Sequence, residues 1–178
     1  MKKILNWLQK TRRYESDVSK EKLFAQGSIC IQNGELKQAE EIYRKACFLF
    51  SEDADAIAGL AYVLIQQGAV QDAADILNKG IAIHPKHTEI IFLLGQVYMQ
   101  QKNWSGARSA WICLLEISPH FEYVYIPLLQ VCVYSGDWTT AEKIAHQGAF
   151  LFPQNSDILL AYATVLVNCE KRNDALQI

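Results

Sequence analysis

The chain has 178 residues, 51% hydrophobic and 20% charged, with a formal net charge of -2. This balance supplies ample apolar surface for a core and excludes a disordered polyelectrolyte. No window approaches the roughly 20 apolar residues of a membrane-spanning helix, because Gln, Asn and Gly break the uncharged stretches at helical spacing.

In chain order, residues 1–19 come first, with Lys2, Lys3, Lys10, Arg12 and Arg13 set among Ile4, Leu5, Trp7 and Leu8. The start is basic like that of a signal peptide, but Asn6 breaks the apolar run and Leu8 ends it. That is short of the apolar region of about 7–15 residues which such a signal needs. The expected element is a basic amphipathic helix that caps the array behind it, pairs with a second subunit or lies on an anionic membrane surface. A cytoplasmic location is expected, with membrane-peripheral placement through this helix as the alternative.

From residue 20 a 34-residue step takes over. Gly34, Gly68 and Gly136 lie one and three steps apart, and Lys102 fills the vacant slot in a Gln-Lys-Asn turn. Ala39, Ala73, Ala107, Ala141 and Ala175 keep the same step, and Pro85, Pro119 and Pro153 follow twelve residues after three of them. Twelve residues before the alanines stand Gly27, Ala61, Gly95, Leu129 and Ala163, mostly small, as close packing of paired helices requires. A step of this size predicts tandem helical hairpins, each burying its apolar face only against its neighbours, so that function lies on a surface. The repeats are 20–53, 54–87, 88–121, 122–155 and a partial 156–178. In the fourth, Pro127 would remove a backbone donor if it stood well inside the first helix, so that helix is expected to start late or bend. The fifth stops at Ile178 inside its second helix. The expectation is therefore either a sequence cut short of its natural end, or apolar residues Leu159, Tyr162, Leu166 and Leu176 that meet another chain or a second copy of this one.

These residues resemble the tetratricopeptide repeat, whose pattern is a bulky residue, Leu, Gly and Tyr in the first helix and Ala, a bulky residue, Ala and Pro in the second. Residues 88–121 match best, with Ile91, Leu94, Gly95, Tyr98, Ala107, Trp111 and Pro119, although Leu114 replaces the second alanine. Residues 20–53 carry Leu23, Gly27, Gly34, Ala39, Tyr43 and Ala46, with Ser51 in place of the proline. The resemblance implies an all-α fold: a right-handed α-solenoid of antiparallel helical hairpins, about four and a half repeats behind an N-terminal helix.

The same resemblance implies that positions 2, 5, 9, 12 and 13 of each repeat line a concave groove. In repeat one these are Glu21, Phe24, Ser28, Ile31 and Gln32, and in repeat two Asp55, Ala58, Tyr62, Ile65 and Gln66. Repeat three offers Glu89, Phe92, Gln96, Met99 and Gln100, and repeat four Tyr123, Ile126, Gln130, Val133 and Tyr134. The fifth offers Asp157, Leu160, Thr164, Val167 and Asn168. The candidate peptide-binding residues are Phe24, Tyr62, Gln66, Phe92, Gln96, Met99, Gln100, Tyr123, Gln130 and Tyr134. The competing reading makes positions 5 and 12 helix-packing residues, which leaves positions 9 and 13 as the groove.

No Lys or Arg stands at any of those positions, so the basic clamp with which related repeats hold a chaperone's C-terminal carboxylate is missing. Phosphate binding would also need a basic track, and residues 46–169 hold five Lys/Arg against eleven Asp/Glu. Nucleic acid is thus disfavoured. The partner class that remains is an amphipathic helix or an extended apolar segment with basic flanks.

Catalytic and metal constellations are weak. His84, His87 and His120 fall in turns and read as solvated loop residues, Pro85 separates the first two from a shared helical face, and His146 has no identifiable acid-base partner. Phosphate loops, G-x-S-x-G and H-E-x-x-H are absent. Cys30, Cys47, Cys113, Cys132 and Cys169 are odd in number, form no C-x-x-C pair and are expected as buried free thiols. No cofactor and no metal are expected.

The functional expectation is a non-catalytic scaffold or chaperone that binds protein through an apolar, amide-lined groove. Its size and basic start are similar to small bacterial secretion chaperones, which hold apolar segments of exported proteins. The alternatives are a membrane-peripheral assembly factor and a regulatory module of a larger enzyme.

Overall fold

Turn chemistry and capping set the helix ends. The structure, a computed structural model, describes residues 19–169. Residues 1–18, where the basic N-terminal helix is expected, and Ala175 and Leu176 near the C-terminus lie outside the described residues. Among the described residues there are nine α-helices and no strand: α1 (Lys20–Gln32), α2 (Leu36–Leu49), α3 (Ala54–Gln66), α4 (Val70–Ile83), α5 (Thr88–Gln100), α6 (Trp104–Ile117), α7 (Tyr125–Tyr134), α8 (Trp138–Leu151) and α9 (Ser156–Asn168). The protein is an all-α tandem-hairpin repeat fold.

Four turns between paired helices share one conformation. Gly34, Gly68 and Gly136 have φ of 77°, 78° and 69°, and Lys102 has φ of 57°. At these points the N–H of Glu35, Ala69, Asn103 and Asp137 donates back to the carbonyl of Cys30, Leu64, Tyr98 and Cys132 at 2.8–2.9 Å. This closure needs a left-handed residue just before the donor, which glycine accepts without a Cβ penalty. Lys102 bears that penalty, about 1–2 kcal/mol for an L-residue, less the extra freedom glycine has when unfolded. Lys102→Gly should therefore raise unfolding free energy by about 0.5–1 kcal/mol, measured by urea denaturation. A loss of stability would refute the strain argument.

Side chains cap the opposite ends. Asp53 accepts from Ala56 N–H at 3.0 Å at the start of α3, and Asn103 does the same for Gly106 at 3.0 Å before α6. Asp137 accepts from the N–H and the hydroxyl of Thr140 at 3.1 and 2.8 Å and pairs with Arg108 at 2.7 Å. Those hydrogen bonds hold its carboxyl below the usual range. A 3₁₀ turn at Glu122–Val124 delays α7 to Tyr125, and α7 has 10 residues where α5 has 13. Pro127 is thereby the third residue of α7, in the first turn, where an N–H would have no intrahelical acceptor.

The chain divides at Ile90/Ile91 into two compact units. In the first, α1 to α4 pack successively and α1 also touches α3. In the second, α6 to α9 pack successively and α7 touches α9. The repeat alanines Ala39, Ala73, Ala107 and Ala141 are each 0% exposed, so the 34-residue step marks the places where helices meet most closely. Large rings press on two of the small residues nearby. The Tyr43 ring lies between α1 and α3, where a Cβ on Gly59 would fall 2.2 Å from it. Trp111 is fully buried and its Nε1 donates to Phe92 O at 3.0 Å, while a Cβ on Gly95 would fall 2.1 Å from that nitrogen.

Candidate protein-binding surface

The first helices expose some repeat positions at every step and bury others only in places. Position 2 (Glu21, Asp55, Glu89, Tyr123, Asp157) and position 13 (Gln32, Gln66, Gln100, Tyr134, Asn168) are exposed in all five repeats. Position 9 is nowhere buried, from Ser28 and Tyr62 through Gln96 and Gln130 to Thr164. Positions 5 and 12 divide: Ala58 and Ile65 are core at 4% and 5% exposure, whereas Leu160 and Val167 stand out at 68% and 47%. The packing reading therefore holds for these positions in repeat two, whose side chains are covered, and not in repeat five. None of the ten candidate binding residues is buried.

Within the first unit, Phe24 and Tyr62 border an open recess of about 550 Å³ that is also lined by Ser28, Ile31, Asp55, His87 and Glu89. Gln66 is exposed on the same helix as Tyr62, outside that lining. Within the second unit, Phe92 packs against Trp111 and Phe121 with ring centroids 6.2 and 5.3 Å away. Tyr123 meets Phe121 at 6.2 Å yet stays 77% exposed, and Tyr134 meets Trp104 at 5.5 Å while 71% exposed. Phe92 thus has a structural share in the Trp111 packing. Trp104 and Phe121 were not among the sequence candidates, because the signal for them is a ring at a turn position, which the groove register omits. A second open cleft of about 460 Å³, lined by Glu122, Phe152, Pro153 and Asn155, lies at the turn between α8 and α9 and was likewise missed.

Several expectations need correction. His84 and His87 are half-buried, not solvated: His84 Nε2 lies 2.6 Å from Glu52 O, while His87 Nε2 lies 3.3 Å from Asp55 and its Nδ1 accepts from Ile90 N–H at 3.4 Å. The turns fold back onto preceding loops and give these rings partners. Leu166, expected at the C-terminal contact surface, is 2% exposed and belongs to the core under α9; Leu159 and Tyr162 are half-buried, and Tyr162 faces the His146 ring at 6.0 Å. Cys113 is exposed, against the expectation of uniform burial.

Burial pushes the thiols of Cys47 and Cys132 up to about 11, leaving about one thiolate in a thousand at pH 8. Cys113 should react with a maleimide first and Cys132 only after denaturation. Mass spectrometry of a time course, with Cys113→Ser as control, checks this; equal rates at the two sites would contradict it. Among the described residues no three His, Cys, Asp or Glu side chains are grouped to hold a metal ion, and no helix is long and apolar enough to cross a membrane.

A tetratricopeptide repeat family model matches residues 31–84 and 64–110. Among solved structures the chain is similar to a MamA protein, with 15% identity, a TM-score of 0.73, and 89% of this chain and 86% of the other covered. It is also similar to TTC0263, a thermophilic TPR protein of Thermus thermophilus, with 17% identity, a TM-score of 0.70, and 89% and 87% covered. A structure of Naa15/Naa10 bound to HypK-THB matches with 17% identity, a TM-score of 0.73, and 88% of this chain but 24% of the other covered. No curated protein matches the sequence.

Proposed function

The chain belongs to the tetratricopeptide repeat family, whose fold serves as a protein-interaction scaffold, and from that premise we propose that it binds a protein segment along its first helices without catalysing a reaction. The observation that carries this reading is the lining itself. Positions 2 and 13 are exposed in every repeat, and the side chains at positions 5, 9 and 12 are aromatic, apolar, amide or hydroxyl, with no Lys or Arg among them. Amides at Gln66, Gln96, Gln100 and Gln130 suit a partner backbone, and rings at Phe92, Tyr123 and Tyr134 suit apolar side chains. Holding an apolar segment of another protein, as a chaperone for an exported chain does, is the finer role this surface fits.

The test uses the second unit, where Gln96 is half-buried and Gln130 exposed. Gln96→Arg/Gln130→Arg is expected to reduce affinity capture of specific partners from native lysate at least fivefold, with helical content by circular dichroism unchanged. Equal recovery of the same proteins by the variant would reject the first-helix surface as the binding site.

A further inference from the structure

The recess in the first unit has a chemistry of its own. Its volume of about 550 Å³ is within the range of ligand pockets, about 300–1,000 Å³, and large enough for one long side chain. The apolar lining comes from Phe24 and Ile31 of α1, Tyr43 of α2, and Ala58 and Tyr62 of α3. Its mouth carries two carboxylates, Asp55 and Glu89, and no Lys or Arg lines it.

The protein already places one cation at this edge. The Lys20 ammonium pairs with Asp53, lies 3.6 Å from Asp55 and sits 5.1 Å from the centroid of the Phe24 ring. Carboxylate on one side and an aromatic face on the other is the environment that stabilises an organic cation. Asp55 is not used up by this contact: its side chain is 63% exposed, with His87 Nε2 3.3 Å from the other oxygen. Glu89 is exposed and has no ion-pair partner among the described residues.

We propose that this recess receives an arginine or lysine side chain of the bound protein segment, its aliphatic stem between Phe24 and Tyr62 and its charged head on Asp55 and Glu89, with Lys20 as a built-in competitor. This deepens the scaffold reading and rests on it. A negative mouth over an apolar floor matches the two parts of such a side chain, which buries its methylenes and keeps its charge hydrogen-bonded. Neutral apolar segments gain only the floor, and acidic ones are repelled.

The test titrates the full chain with three fluorescein-labelled decapeptides of Leu and Ala, identical except for two central residues, which are Arg, Gln or Glu. At low ionic strength the Arg peptide is expected to bind about tenfold more tightly than the Gln peptide, the Glu peptide most weakly, and salt at about 0.5 M to shrink the gap. Asp55→Asn/Glu89→Gln should bring the Arg peptide down to the Gln value, while Lys20→Met should tighten it about two- to fivefold by freeing Asp55. These surface changes are checked for intact fold by circular dichroism. Equal binding of all three peptides, lost in Tyr62→Ala, would overturn the cation selectivity and leave the scaffold surface standing. Binding of none would count against both. If the carboxylate variant instead changes the sedimentation coefficient and not peptide binding, the recess seats a second copy of the chain, and the proposal is wrong.

Discussion

Trp111→Ala is expected to lower unfolding free energy by about 3–5 kcal/mol, the range for removing a large buried ring. The indole is 0% exposed, packs on Phe92, and fills the space left open by Gly95. Its Nε1 also satisfies the Phe92 carbonyl at 3.0 Å. Trp111→Phe separates the two contributions. The smaller ring keeps much of the apolar contact and gives up only the Nε1–H donation, a net loss of about 0.5–1.5 kcal/mol, because Phe92 lies inside α5 and its carbonyl keeps its intrahelical partner. Denaturant unfolding followed by circular dichroism reads both, since Trp7, Trp104 and Trp138 would complicate fluorescence. A loss under about 1 kcal/mol for the alanine variant would mean that the second unit does not depend on this ring.

Gly59→Ala tests a sign. Helix propensity alone predicts a gain of about 1 kcal/mol, because Gly59 lies inside α3 and alanine is the better helix former. The packing predicts the reverse. A Cβ would sit 2.2 and 2.5 Å from ring carbons of Tyr43, and Tyr43 is itself 6% exposed against α1 on its other side. Overpacking of this kind costs about 1–3 kcal/mol, so a net loss is expected. In a Tyr43→Leu background the obstacle is gone, and the same substitution should turn neutral or stabilising, a coupling that a double-mutant cycle measures directly. A gain in the wild-type background would show that the ring moves aside freely.

Each prediction involves residues that the 34-residue step had already set in phase, Trp111 with Gly95 in the first and Tyr43 in the second. Gly95 and Trp111 were legible as members of a paired-helix pattern, as were Gly27 and Tyr43. Gly59 was not, since it stands two residues ahead of the repeat position, and only the approach of α2 to α3 reveals why a side chain is missing there. Trp104 and Phe121 escaped for a similar reason: each is a ring near a turn whose partner comes from another element. The histidines show the same limit. Their spacing says nothing about Glu52 O or Asp55, which the returning loop brings to them.

Hairpin register, turn positions and the late start of α7 are legible along the chain, because these depend on local causes. A left-handed turn residue, a capping side chain, an alanine where helices touch and a proline in a first turn each act within a few residues of the chain. Which residues of that register lie at the surface depends instead on how the helices pack. Ala58 and Leu160 hold the same repeat position, yet one is 4% and the other 68% exposed, because burial is set by neighbouring helices and not by the helix that carries the residue. The recess that gathers Phe24, Tyr62, Asp55 and Glu89 has the same origin. Its residues come from four helices spread over more than sixty positions, and no local pattern states that they meet.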